Sequence, residues 1–310
     1  MLPQRCNRPE GVGPNGRQAY APAVQRSCDA LLLDLDGTLL DRGEGVRPAS
    51  LAALRRAQEA GVRVLVATGR SWLSAEPILV ELDLGTPAVL FNGAAVLDLE
   101  EGRLVEERLL ANRTMERLHA FRREHDDLMI LMGARRKLCL TPRSEAEERS
   151  LDGLIGVEYA TEEELVAEEC VIRATFLAER DEDPLAYAEA IARRVERPIY
   201  TTHFPLSILE RHRESRFVAV DVHAPCLGKA EALRVVEERY GITPERVCAV
   251  GDADNDLPML RAAGLGVAMG NALPEIQAEA DLVIGANDTD AIAALVDGLL
   301  AGEVAPAAGS

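Results

Sequence analysis

The sequence predicts a doubly wound α/β fold, a parallel sheet with helices on both faces, interrupted by an inserted α+β module. Two observations carry the prediction. Short apolar runs alternate with amphipathic helical stretches toward both ends of the chain, the rhythm of right-handed βαβ units and a parallel sheet. The middle breaks that rhythm, mixing helical patterns with alternating apolar and polar residues.

Residues 1–28 are rich in Gly, Pro, Arg, Asn and Gln and are expected to form a disordered extension. Order is expected from Ala30, where Leu31-Leu32-Leu33-Asp34-Leu35 reads as a strand buried on both faces and stopped by Gly37. Pro48 opens a helix with Leu51, Leu54 and Ala57 on one face, and Gly61 closes it. A second strand over 62–67, a helix over about 72–82 and a third strand over 88–91 follow.

Beyond the middle, a helix over about 228–240 stops at Gly241 and leads into a strand over 247–250. A helix near 256–263, a strand over 266–269, a helix near 274–280, a strand over 282–284 and a helix over about 289–300 complete the pattern. The core is therefore expected at 29–98 and 224–302, the insertion at 99–223 and a disordered tail at 303–310. Within the insertion, helical patterns at 113–125, 161–169 and 184–195 mix with an alternating strand over 171–176. Strands near 199–203, 206–210 and 217–222 are expected to pair into an antiparallel sheet.

Composition narrows the function. The 310 residues are 47% hydrophobic but only 4% aromatic, so the core must come from Leu, Val, Ile and Ala. A net charge of −18 argues against non-specific binding to nucleic acid or an anionic membrane. It does not exclude a small anionic substrate, because a local Lys or Arg beside a metal dominates within the screening length of roughly 8 Å. The six cysteines are scattered with no CxxC pair, which points to reduced thiols in the cytoplasm and away from a zinc site. The N-terminal stretch lacks the apolar segment of a secretory signal, and no apolar run approaches the roughly 20 residues that span a bilayer.

In parallel α/β sheets, ligands sit beyond the carboxyl ends of the strands. Those ends carry Asp34-Leu35-Asp36-Gly37-Thr38, Thr68-Gly69-Arg70 and Gly251-Asp252-Ala253-Asp254-Asn255-Asp256, with Lys229 opening a helix between them. These residue types suit transfer of a phosphoryl group. A carboxylate can act as the nucleophile and form an acyl-phosphate that water later cleaves. Two anions approach one another only with a cation between them, and Mg²⁺ prefers carboxylate, carbonyl, water and phosphate oxygens. A second carboxyl group protonates the leaving alkoxide, while a lysine, a hydroxyl and backbone N–H groups meet the equatorial charge.

The same residues resemble the haloacid dehalogenase (HAD) superfamily. Asp34-Leu35-Asp36-Gly37-Thr38-Leu39-Leu40 matches its first motif, Thr68-Gly69-Arg70 its second, Lys229 within Gly228-Lys229-Ala230 its third and Gly251-Asp252-x-x-Asn255-Asp256 its fourth. Phe91-Asn92-Gly93 and Ala268-Met269-Gly270-Asn271-Ala272 resemble the Cof-like branch, whose α/β (type IIB) cap is inserted between the second and third motifs. The resemblance spans about residues 29–302. It implies a Mg²⁺-dependent phosphatase acting on a small phosphorylated metabolite, with sugar phosphates the leading class. Asp34 would be the nucleophile and Asp36 the general acid, then base. Thr68 and Lys229 would hold phosphoryl oxygens. Asp34 and Asp252 would ligate Mg²⁺ together with the Asp36 backbone carbonyl. Asp256 would support the metal through water, and Asn255 would orient the phosphate or the lysine. Two departures stand out: Leu227 replaces the usual Ser or Thr before Gly228, and 287–291 lacks the expected Gly.

Alternative readings accompany these roles. Thr68 alone would merely end a strand, and Lys229 alone would be an ordinary helix lysine. Gly69 and Arg70 belong to the expected phosphate site, although Arg70 serves equally well as a cap of the following helix. Asn92 and Asn271 read as loop braces as well as substrate contacts. Cys248 reads as a packed hydrophobe, and His203 or Arg211 as possible linings of the substrate mouth. A phosphomutase would share Asp34 and Asp36 and require an activating bisphosphate. A non-catalytic protein would bind a phosphorylated ligand without turnover. The oligomeric state and the substrate itself have no sequence signal.

Overall fold

A computed structural model describes residues 26–304, except 42, 44 and 180–182. The expected N-terminal extension therefore falls, up to residue 25, outside the described residues, as does the tail from 305. Strand β1 (Ala30–Leu33) is buried at every position. Helix α1 (Pro48–Glu59) starts on proline and buries Ala53, Leu54 and Ala57, with Leu51 of the expected face only partly buried against the same cluster. Then come β2 (Arg63–Ala67), α2 (Trp72–Leu82), β3 (Ala88–Leu90), β4 (Ala95–Asp98) and β5 (Arg103–Glu107).

The middle holds α3 (Asn112–His125), β6 (Leu128–Met132), β7 (Lys137–Leu140), α4 (Glu145–Ser150), β8 (Val157–Ala160) and α5 (Glu162–Ala167). It continues with β9 (Arg173–Glu179), α6 (Pro184–Val195), β10 (Tyr200–Pro205) and β11 (Phe217–His223). The final stretch is α7 (Glu231–Tyr240), β12 (Val247–Gly251), α8 (Leu257–Ala262), β13 (Leu265–Ala268), α9 (Pro274–Ala278), β14 (Leu282–Val283) and α10 (Ala291–Ala301).

These strands form two sheets. The larger runs β14-β13-β12-β1-β2-β3-β4-β5, and its pairs are parallel except β3–β4 and β4–β5. The smaller runs β10-β11-β9-β6-β7-β8 and is antiparallel apart from β7–β8. The fold is thus the expected doubly wound α/β core with an α+β insertion. Residues 103–107, which the sequence reading assigns to the insertion, pair with β4 and extend the larger sheet. The stretch 206–210 is not a strand but passes through two 3₁₀ turns, Leu206–Ile208 and Glu210–His212. Its alternation hides no consistent face, since Leu206 is buried while Ile208 and Leu209 are exposed.

The smaller sheet faces two ways. Met129, Leu131, Phe176 and Val220 pack with Leu118 and Phe121 of α3 and Ile191 of α6. On the opposite pleat, Leu128, Ile130, Met132 and Leu177 join the apolar cluster that holds Leu79 and Phe91 of the larger sheet's layer. On this inner face the register aligns His223, Arg173, Met132 and Lys137 in one row, and Thr202, Asp221 and Thr175 in the next. A polar strip therefore faces the larger sheet. No described helix is long and apolar enough to cross a membrane.

Candidate active site

The adjacent strands β1, β2 and β12 converge on one sheet end, and each delivers a polar residue just past its last apolar one. Asp34 follows β1, and its N–H donates to the Val250 carbonyl at 3.1 Å, so the position still belongs to the ladder. Its side chain is 4% exposed. Lys229 Nζ lies 2.6 Å from Asp34 Oδ1 and 2.6 Å from Asp256 Oδ1, tying residues 195 and 27 positions away from it into one cluster. Asp256 Oδ2 accepts from the backbone N–H groups of Asp252 at 2.9 Å and Ala253 at 3.0 Å, which fixes that carboxylate from both sides.

Asp34, Asp252 and Asp256 each offer a carboxylate oxygen, and these oxygens lie within 4.8 Å of one another. Gly37 makes the approach possible. Its φ is +77°, and a Cβ there would stand 2.2 Å from Asp252 Oδ2. Thr38 Oγ1 donates to Asp252 Oδ1 at 3.2 Å, and Asn271 Nδ2 donates to the Gly37 carbonyl at 2.8 Å. Asn271 is thus a loop brace. Three carboxylates face a single ammonium here, so the donors are all hard oxygens and carry excess negative charge. That set fits a divalent oxygen-seeking cation.

The electrostatics follow from burial. Asp34 is pushed well above the usual carboxylate range, first by burial and then by the Asp256 carboxylate, with Lys229 opposing. Burial and Asp256 likewise raise Asp252 to about 7. Burial alone would lower the Lys229 ammonium, but Asp256 and Asp34 outweigh it and raise its pKa.

Asp36 stands apart. Its side chain is 57% exposed and its carboxylate is outside the cluster, paired with Arg70 through Nε at 2.9 Å and through Nη2. For Arg70, burial lowers the pKa and the Asp36 pair more than reverses it. Arg70 Nη1 also donates to the Ser74 carbonyl in the first turn of α2 at 3.4 Å, so the side chain joins Asp36 to the following helix. Thr68 is fully buried, and its Oγ1 accepts the Arg70 N–H at 3.1 Å. A Cβ on Gly69 would stand 3.0 Å from Asn92 Oδ1, so the loop and the Asn92 side chain approach closely. Asn92 adopts a left-handed φ of 52° and bridges two segments. Its Oδ1 accepts from Asn255 Nδ2 at 3.0 Å, and its Nδ2 donates to Thr202 Oγ1 of β10 at 3.2 Å.

The structure therefore brings together Asp34, Lys229, Asp252 and Asp256, places Thr68, Gly69, Asn92 and Asn255 in the adjoining loops, and holds Asp36 with Arg70 on the exposed side. Sequence reasoning missed the Thr38–Asp252 contact, although Thr38 lies inside a quoted motif. It also missed Arg173, Asp221 and Thr202, whose only signal was their shared face in alternating strands. Departure from the motif at Leu227 leaves a side chain 61% exposed, so no buried hydroxyl contact is lost there. His203 stands on β10 one residue from Thr202 and so on the opposite pleat, and Arg211 lies in the second 3₁₀ turn.

Comparison with known proteins gives concordant results. A pyridoxal phosphate phosphatase of Escherichia coli is 28% identical over 278 residues, covering 86% of this chain and 96% of the relative. A 5-amino-6-(5-phospho-D-ribitylamino)uracil phosphatase of Bacillus subtilis is 28% identical over 263 residues, covering 85% of this chain and 92% of the relative. Among solved structures, a phosphatase of the HAD superfamily from Bacteroides thetaiotaomicron superposes with a TM-score of 0.74 at 23% identity, covering 93% of this chain and all of the other. The family model for haloacid dehalogenase-like hydrolases matches residues 31–296. The chain belongs to the haloacid dehalogenase-like hydrolase family, in its Cof-like branch.

Proposed function

We propose that this chain is a Mg²⁺-dependent phosphatase that hydrolyses a small phosphomonoester through an aspartyl-phosphate on Asp34. The observation that supports the reading best is the buried Asp34 carboxylate, held by Lys229 beside Asp252 and Asp256 at the end of β1. Phosphatase relatives over most of the chain support the reaction class. Asp34, Asp252 and Asp256, with the Asp36 carbonyl, would hold Mg²⁺, which supplies the positive charge that lets an anionic phosphoryl group approach a carboxylate.

In this reading an Asp34 oxygen attacks phosphorus, the bond to the leaving oxygen breaks, and an acyl-phosphate forms. Asp36 leaves Arg70, takes up a proton from solvent and gives it to the leaving alkoxide. It then takes a proton from water as that water attacks phosphorus, which releases phosphate and restores Asp34. That proton returns to solvent when the Arg70 pair re-forms. Lys229 and Thr68 hold the equatorial oxygens, and Asn255 orients Lys229 or the phosphate. Arg70 keeps Asp36 turned toward the open side between turnovers. The insertion, counted from the end of β5 to β11, acts as a cap that excludes water during transfer. Its substrate is a small phosphorylated metabolite, a sugar phosphate or similar ester, met in the cytoplasm.

The test is p-nitrophenyl phosphate hydrolysis with Mg²⁺, with EDTA, and for Asp34→Asn. Metal-dependent release that disappears in the variant is expected, and a metabolite panel including pyridoxal phosphate and sugar phosphates then ranks substrates. Activity retained by Asp34→Asn would remove the covalent mechanism. Turnover that appears only after a bisphosphate is added would mark a phosphomutase instead.

A further inference from the structure

We propose that Arg173 is a positioning residue for the loop Thr68-Gly69-Arg70, fixing its Gly69 carbonyl from the smaller sheet while Asp221 fixes Arg173. The proposal rests on the phosphatase reading of that loop. Arg173 stands on β9, on the pleat that faces the larger sheet, and its Nη1 donates to the Gly69 carbonyl at 2.7 Å. The same nitrogen lies 3.2 Å from Asp221 Oδ2, and Asp221 Oδ1 accepts from Thr175 Oγ1 at 2.6 Å. Arg173 Nη2 meets Met132 Sδ at 3.0 Å, and the guanidinium carbon lies 5.4 Å from the Phe91 ring centroid. Both Arg173 and Asp221 side chains are 9% exposed. Contacts from four residues thus surround the guanidinium, whose Nη1 serves both the Gly69 carbonyl and the Asp221 carboxylate.

The receiving peptide has little freedom. Asn92 presses on Gly69 so closely that a Cβ would stand 3.0 Å from its Oδ1. Arg173 meets the carbonyl of that residue. The next N–H, that of Arg70, donates to Thr68 Oγ1, and the Arg70 side chain holds Asp36. Turning the Gly69–Arg70 peptide would therefore move the Thr68 hydroxyl and the Arg70–Asp36 pair together. One hydrogen bond from the insertion sets two groups of the reaction. A merely structural role, in which the Arg173–Asp221 pair only glues one sheet to the other, predicts lost stability without a selective change in turnover.

The test compares wild type, Arg173→Lys and the double variant Arg173→Met with Asp221→Asn. The double variant leaves no buried carboxylate without its cation, so its fold is spared the main cost. With p-nitrophenyl phosphate and Mg²⁺, kcat of the double variant is expected to fall about 10- to 100-fold, more than KM changes, with Tm close to wild type. Arg173→Lys, which keeps a cation beside Asp221 and a donor for Gly69, is expected to regain part of the loss. Unchanged kcat in the double variant, or no gain in Arg173→Lys, would overturn the proposal. Asp34→Asn, measured alongside, tests the reaction itself and separates the two ideas. If wild type ignores this substrate, amide hydrogen exchange decides. Faster exchange at the Arg70 amide in the double variant supports the positioning role, and unchanged exchange overturns it.

Discussion

Replacing Lys229 with Met keeps the length of the side chain and deletes its charge at the most crowded point of the site. Lys229 is 1% exposed, and its ammonium stands 2.6 Å from both Asp34 and Asp256, with Asp252 beside them. Breaking a buried ion pair by removing one partner costs about 3–5 kcal/mol, because the remaining charge stays buried and uncompensated. Protons partly replace the lost cation. Asp34 and Asp252 already titrate above the ordinary carboxylate value of 3.8, through burial and Asp256, and lose their one opposing cation in the variant. A carboxyl group whose folded pKa is raised binds more protons folded than unfolded, so stability falls as pH rises from about 4 through the folded value. The penalty of Lys229→Met should therefore be largest near pH 8 and smaller near pH 5.

With about 2–4 °C of Tm per kcal/mol for chains of this general size, the expected shift at pH 8 is on the order of 10 °C. Thermal melts in EDTA at the two pH values measure it without interference from a bound metal. Metal-dependent turnover should fall about 100-fold or more, as when a charge-stabilising donor is removed elsewhere. A melt at pH 8 indistinguishable from wild type, or a larger loss at pH 5, would refute the electrostatic account.

Two other expectations follow. Cation affinity should weaken as pH falls below about 7, because the raised Asp252 must lose its proton to bind, and calorimetry at pH 6 and 8 should show the proton release. His223 is fully buried, its ring nitrogens meet no partner in good hydrogen-bond geometry among the described residues, and burial, first, holds its pKa down at about 3. A base with a depressed folded pKa stabilises the fold above its unfolded value of about 6.5 and loses that contribution as pH falls from there toward 3. His223→Leu should therefore remove part of the loss of stability between pH 7.5 and 4.5, measured by urea midpoints, and an unchanged acid slope would count against it.

Much of the core was legible because its signals are local. Leu31, Leu32 and Leu33 mark a strand buried on both faces, and the rule that ligands collect past such strands points directly to Asp34. Lys229, Asp252 and Asp256 were readable from their place in the same alternation. The edges were harder. β5 reads Arg-Leu-Val-Glu-Glu and leaves no position fully buried, so nothing in its sequence ties it to the larger sheet. The turns after Pro205 carry apolar residues that happen to alternate. Arg173 lies 104 residues from Gly69 and meets it only through how the two sheets pack, a relation with no periodicity to detect. Thr38 sat inside a recognised motif, yet its partner Asp252 is 214 residues away.

The strand order places β1 fourth of eight, with three strands on one side and four on the other. Fraying begins at unpaired sheet margins and works inward, so two strands on one flank or four on the other must be stripped before the pairing that joins the Val250 carbonyl to the Asp34 amide is itself at a margin. Asp34 thus sits inside the sheet, away from both margins. The insertion departs after β5, at the outermost strand, where lengthening or remodelling disturbs one margin and leaves the centre paired. A sheet arranged this way separates what must stay fixed from what is free to be rebuilt, and the two need not compete for the same residues.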